Sequence, residues 1–115
     1  MHPTNGATEA WYVAFDSAEH LYQWYYQVTD SKHISRSSGD CAKDQVAEGT
    51  WHYERSAGVD AGRLACWRDG QQSWLVWNHT ELHIGAEAYR NDLNGRALFD
   101  WWRTDGHILD PGEPD

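Results

Sequence analysis

Basic residues are scarce in this chain: nine Lys and Arg stand against eighteen Asp and Glu, for a formal charge of −9. Nucleic acid binding needs cationic side chains to displace counterions, and anionic membrane surfaces attract the same groups, so neither is an expected partner. Cysteine is limited to Cys41 and Cys66. There is no C-x-x-C, which removes support for a redox dithiol or a Cys-rich zinc site. The pair is either one disulfide, a bond worth roughly 3–4 kcal/mol in the chain-entropy picture, or two separate buried thiols. Long apolar runs are missing as well. None approaches the roughly 18 residues of a membrane helix, and Met1–Ala10 lacks the apolar segment of a signal peptide. The segment is therefore not expected to insert in a membrane. It reads either as intracellular or as a piece of a longer exported or membrane-anchored chain.

Catalytic signatures are also lacking. No Ser stands in a G-x-S-x-G elbow, and there is no Gly-rich phosphate loop and no His-Glu-x-x-His. His83 and Glu87 point to one side of a strand, with His52 a third candidate from another strand. Residues four apart on a strand lie about 13 Å apart, too far to share an ion. Cys41 as a nucleophile competes with Cys66 as its bonding partner. Asp60, Asp69, Asp92 and Asp105 are turn or cap residues first. No catalytic residue, metal or cofactor is expected.

What the chain has in excess is aromatic: eight Trp, six Tyr and two Phe. Rings bury large areas, but indole N–H and phenol O–H groups need partners, so some rings should sit at the edge of the core. The chain is organised around Gly62–Trp77 (GRLACWRDGQQSWLVW), two apolar runs about an Asp69-Gly70 step, the strongest hairpin signal present. Leu64 and Cys66 alternate with Ala65 and Trp67, and Trp74 and Val76 with Leu75 and Trp77. Both faces are apolar, which places this pair inside a sheet. Ala10–Phe15, Thr50–Arg55 and Leu82–Tyr89 are further strands.

A helix capped by Asp16 or Ser17 carries Leu21, Trp24, Tyr25 and Val28 as one apolar stripe to about Thr29, with Tyr22 and Tyr26 stacked beside it. Asp30–Asp44 is a long loop, with Cys41 a candidate tether. A last helix, capped by Asn91 or Asp92, runs to about Arg103 with Leu93, Ala97, Leu98 and Trp101 as its stripe. The expectation is an α+β domain at 10–104, with an antiparallel sheet of about five strands and two helices packed on one face. Residues 1–9 read as a flexible lead-in and 105–115 as a flexible tail. Trp67 and Trp77 are expected to share one face of the hairpin. They are either core or, with no helix over them, a flat aromatic platform for a ligand or partner.

GDC (39–41), EGTWHY (48–53), GRLACW (62–67), LVW (75–77) and LFDWW (98–102), preceded by WYVAFDSAEHLYQWY (11–25), form a familiar order. The pattern resembles the Trp-rich module C-terminal to the kinase domain and membrane span of actinobacterial Ser/Thr protein kinases and of related exported proteins. That resemblance implies a Cys41–Cys66 disulfide and an extracytoplasmic sensor or binding domain, carried as part of a longer chain. It brings no catalytic residues. The leading expectation is a non-enzymatic module that recognises a protein or a small, cell-wall-derived ligand through Trp67, Trp77, Tyr22 and Tyr26. An assembly protein that buries its aromatic face in an oligomer is the second reading. A small hydrolase or metal-dependent enzyme is the third.

Overall fold

The computed structural model describes residues 7–52 and 60–103. In chain order it contains β1 (Glu9–Ala14), α1 (Ala18–Ser31), β2 (Ala47–Trp51), β3 (Gly62–Asp69), β4 (Gln72–His79), β5 (Ile84–Arg90) and α2 (Gly95–Trp101). The five strands form one antiparallel sheet in the order β1-β5-β4-β3-β2, so the α+β class and the strand count are as expected. None of the described helices is long and apolar enough to cross a membrane.

Local chemistry explains most of the element ends. Asp69 pairs with Gln72, which leaves Gly70-Gln71 as a two-residue loop. Gly70 takes φ +60°, a conformation that glycine adopts without a Cβ clash. Ser17 caps α1 by accepting the His20 N–H. At the other end His33 turns left-handed at φ 58°, its N–H donating to Asp30 O and that of Ile34 to Thr29 O. This crossed pair stops the helix and drops Ile34 into the core.

Other boundaries differ from expectation. The cap of α2 is Asn94, whose side chain accepts the Ala97 N–H. Asp92 instead accepts from Asn94 N–H and Arg90 Nε, so residues 91–93 form a turn and Leu93 is left exposed. Strand β2 starts at Ala47 rather than Thr50 and runs to Trp51, and the Tyr53–Arg55 part of the expected strand lies outside the described residues. At the N-terminal end Ala7 is buried and Thr8 N–H donates to Tyr89 O, so packing begins before Ala10. The expected tail at 105–115 lies outside the described residues.

The register sorts the side chains onto two faces. Leu64 pairs with Trp77, and Cys66 with Leu75. Ala86 and Ala88 pair with Trp77 and Leu75 in turn. This first face is covered by Leu98, Phe99 and Trp102 from α2 and its end. The opposite face carries Ala65, Trp67, Val76 and Trp74 and is covered by Tyr25 and its helical neighbours from α1. The helices therefore lie on opposite faces, not on one. The cause was already visible in β3 and β4: both of their faces are apolar, and each needs its own cover.

The long loop after α1 passes from one face to the other around the β2 edge. Ser37 N–H bonds Glu48 on the α1 side, Gly39 N–H bonds Glu48 O at the edge, and Cys41 is joined to Cys66 on the α2 side. The disulfide spans a Cα–Cα distance of 6.0 Å. It holds the loop against the sheet and blunts an edge strand that would otherwise expose its backbone.

Candidate functional site

The α1 face is built as cross-strand rows. One row reads Trp11, Glu87, Val76, Ala65, Glu48 from one sheet edge to the other. The next reads Glu9, Tyr89, Trp74, Trp67. Directly opposed side chains in an antiparallel pair are near neighbours, so each row is a continuous strip of contacts. Helix α1 crosses above them, close enough at Gly85 that a Cβ there would meet Trp24 Cζ3 at 2.4 Å.

At the β2 end the helix seals a polar network. Glu48 is fully buried and receives Arg63 through two bonds, Nε to Oε2 at 2.7 Å and Nη2 to Oε1 at 2.8 Å. Tyr25 O–H donates to Oε2 at 2.7 Å and Ser37 N–H to Oε1 at 2.8 Å. Burial alone would raise the Glu48 carboxyl. The bonds from Arg63, Ser37 and Tyr25 together outweigh it and hold the group below the ordinary glutamate range. Burial, then the Glu48 charge and bond, push the Tyr25 phenol far up. The bond to Glu48 raises the Arg63 guanidinium. Each acceptor oxygen is filled, so this is a closed structural clamp that ties α1, the loop and the edge strand.

The β1 end is different. Trp67 stacks on Trp74 at 5.9 Å between ring centroids and 9° between planes, and Trp74 stacks on Trp11 at 6.1 Å and 9°. Tyr89 lies 4.9 Å from Trp74 and 5.7 Å from Trp11. The Trp74 indole N–H reaches Gln72 Oε1 at 3.2 Å. At the outer end Trp11 keeps 44% of its surface open, and its strand neighbour Val13 the same. Glu87, directly opposite Trp11, is half-buried, and burial raises its carboxyl while the Lys32 charge partly offsets this.

The structure separates the expected site residues. Trp67 and Trp77 do not share a face: Trp67 opposes Trp74 on the α1 side, and Trp77 opposes Leu64 on the α2 side. The reason is the hairpin register. A loop at Gly70-Gln71 fixes both pairings at once, and opposed residues point the same way. Trp77 is wholly buried, packed against Tyr12, Trp101 and Trp102, and offers no surface. Trp67 is buried too, but as the inner end of the exposed stack.

Tyr22 and Tyr26 do meet, at 5.7 Å between rings, and both are half-buried. Tyr22 O–H bonds Thr80, and the Arg36 guanidinium lies 3.6 Å above the Tyr26 ring, so the loop occupies that flank. Trp11, Trp74 and Tyr89 were not singled out from the sequence. The Trp67–Trp74 pair was readable from the hairpin, whereas Trp11 and Tyr89 join it only through the pairing of β1 with β5.

On the α2 side a cavity of about 350 Å³ is walled by the disulfide, Leu75, Leu98 and Arg96. Arg96 is already committed, donating to Ala42 O at 3.0 Å and to Asp100. Among the described residues no three His, Cys, Asp or Glu side chains converge as a metal site requires. No protein-family model matches this chain, and no curated protein and no solved structure matches it.

Proposed function

We propose that this domain is a non-enzymatic binding module that acts outside the cytoplasm and recognises a protein or a small ligand through the rings of Trp11, Trp74 and Tyr89. The observation that carries the reading is the open, ordered stack. Trp11 is 44% exposed yet held parallel to Trp74, so the ring surface is both accessible and fixed before any ligand arrives. Trp67 and α1 support the stack from its buried end. The disulfide suits an oxidising compartment, which accords with the resemblance to extracytoplasmic kinase-associated modules.

A second reading, assembly through this face, draws on the place of β1 at the edge of the sheet, where Trp11 and Val13 are each 44% exposed. Indole NMR signals distinguish the possibilities. Titration with a panel of cell-wall sugars and peptides is expected to move the Trp11 and Trp74 signals, leave Trp77 still, and have no such effect in Trp11→Ala. Signals that move with protein concentration alone, together with a growing sedimentation coefficient, would favour assembly. Unmoved Trp11 and Trp74 signals in both experiments would remove both readings.

A further inference from the structure

Rings alone do not select a ligand; the charge beside them does. On β1, Glu9 and Trp11 point to the α1 side, and each stands opposite the other kind of group on β5: Glu9 faces Tyr89, and Trp11 faces Glu87. Carboxylates and rings therefore alternate over the outer two strands. Glu9 is exposed and Glu87 half-buried. Among the described residues Glu87 accepts no hydrogen bond, and the one cation that acts on it is Lys32. A partly desolvated carboxylate beside open ring surface lacks a close counter-charge.

Elsewhere on this same face the chain supplies such a charge itself. Lys32 Nζ lies 5.8 Å from the Trp67 ring centroid, and the Arg36 guanidinium lies 3.6 Å from that of Tyr26. Arg63 grips Glu48 with a two-pronged fork. Among the described residues no cation lies over the Trp11 or Tyr89 ring, and the Lys32 charge that acts on Glu87 is shared with Asp69 at 3.6 Å. Cations are drawn to ring faces and more strongly so when partly desolvated, and the chain's −9 charge attracts basic partners at long range.

We infer that the outer patch takes a cationic side chain, guanidinium or ammonium, from a basic peptide segment of a partner polypeptide, seated on Trp11 between Glu9 and Glu87. The inference rests on the proposed aromatic binding face and names what that face selects.

The test compares acetyl-Gly-Arg-Arg-Gly-amide with the same peptide carrying citrulline, which keeps the shape of arginine without its charge. Choline serves as the third probe. The arginine peptide is expected to move the Trp11 and Trp74 indole signals, to bind roughly tenfold more tightly than the citrulline peptide, and to weaken with added salt. Glu87→Gln and Glu9→Gln should each bring the arginine peptide toward the citrulline value without lowering the melting temperature.

Equal binding of the two peptides at these rings would overturn the cation inference and leave the aromatic face standing. Tighter binding of choline than of either peptide would replace the basic peptide as occupant. If no probe moves the two indole signals, the inference fails, and the aromatic face is decided by the sugar and peptide panel.

Discussion

Glu48 and Glu87 stand in the same row on the same face of the sheet, separated by Ala65 and Val76. Glu48 lies under α1 and has a bonding partner on each oxygen, and its carboxyl sits below the ordinary range. Glu87 lies opposite Trp11 on the outer strands, and burial holds its carboxyl above that range. Glu48 was buried with hydrogen-bonding partners, whereas Glu87, among the described residues, has only the Lys32 charge acting on it. A satisfied network of this kind fixes structure. A desolvated charge next to open rings is a place where something else can bind.

The largest expected break in that comparison comes from Glu48→Gln. Removing one member of a buried, bidentate pair strands Arg63 and should cost about 3–5 kcal/mol in urea unfolding. Glu87→Gln, by contrast, should stay within about 0.5 kcal/mol of the parent, since no bond is lost. Equal costs for the two variants would show that the contrast between the sites is not energetic.

Gly85→Ala tests whether α1 is as close as the geometry requires. Its Cβ would meet the Trp24 ring at 2.4 Å, and overpacking of that kind costs about 1–3 kcal/mol. Tyr25→Phe removes one donor to Glu48 and should cost about 1 kcal/mol. A null effect there would mean that Arg63 and the Ser37 N–H hold the clamp without Tyr25.

The two glutamates also have opposite pH signatures. The unfolded value of a glutamate is about 4.3. Glu48 has a depressed folded value, so its contribution is present above about pH 4.3 and is lost as pH falls through that lower value. Glu87 has a raised folded value, so its contribution is fully present below about pH 4.3 and is lost as pH rises through the higher one. In unfolding measured from pH 3 to 7, Glu48→Gln should flatten the acid limb and Glu87→Gln should steepen it. Trp11→Ala should cost no more than about 1 kcal/mol, because the ring is half open.

How much of this was legible beforehand varies by residue. The Ser17 cap, the α1 stripe through Leu21 and Tyr25, and the hairpin about Asp69-Gly70 are written in short-range patterns and stand where those patterns put them. The pairing of Trp67 with Trp74 was also within reach, because it follows from the length of one loop. The sharing of a face by Trp67 and Trp77 was an error of register. Glu48 carries no local signal, since a lone acid at the start of a strand looks like any solvated acid until Arg63 and Tyr25 meet it. Helix placement is legible only in β3 and β4, whose two apolar faces each need cover; an amphipathic stripe says that a helix is covered, but not by which side of the sheet.

The sequence by itself determined where the hairpin turns, where α1 begins and which residues want burial, because those depend on neighbours a few positions away. Tertiary structure alone decided that β1 lies beside β5, which helix takes which face, and that Glu48 has hydrogen-bonding partners while Glu87 has none among the described residues. Strand pairing across seventy to eighty residues carries no local signature, and a charge acquires its meaning only from what is packed against it.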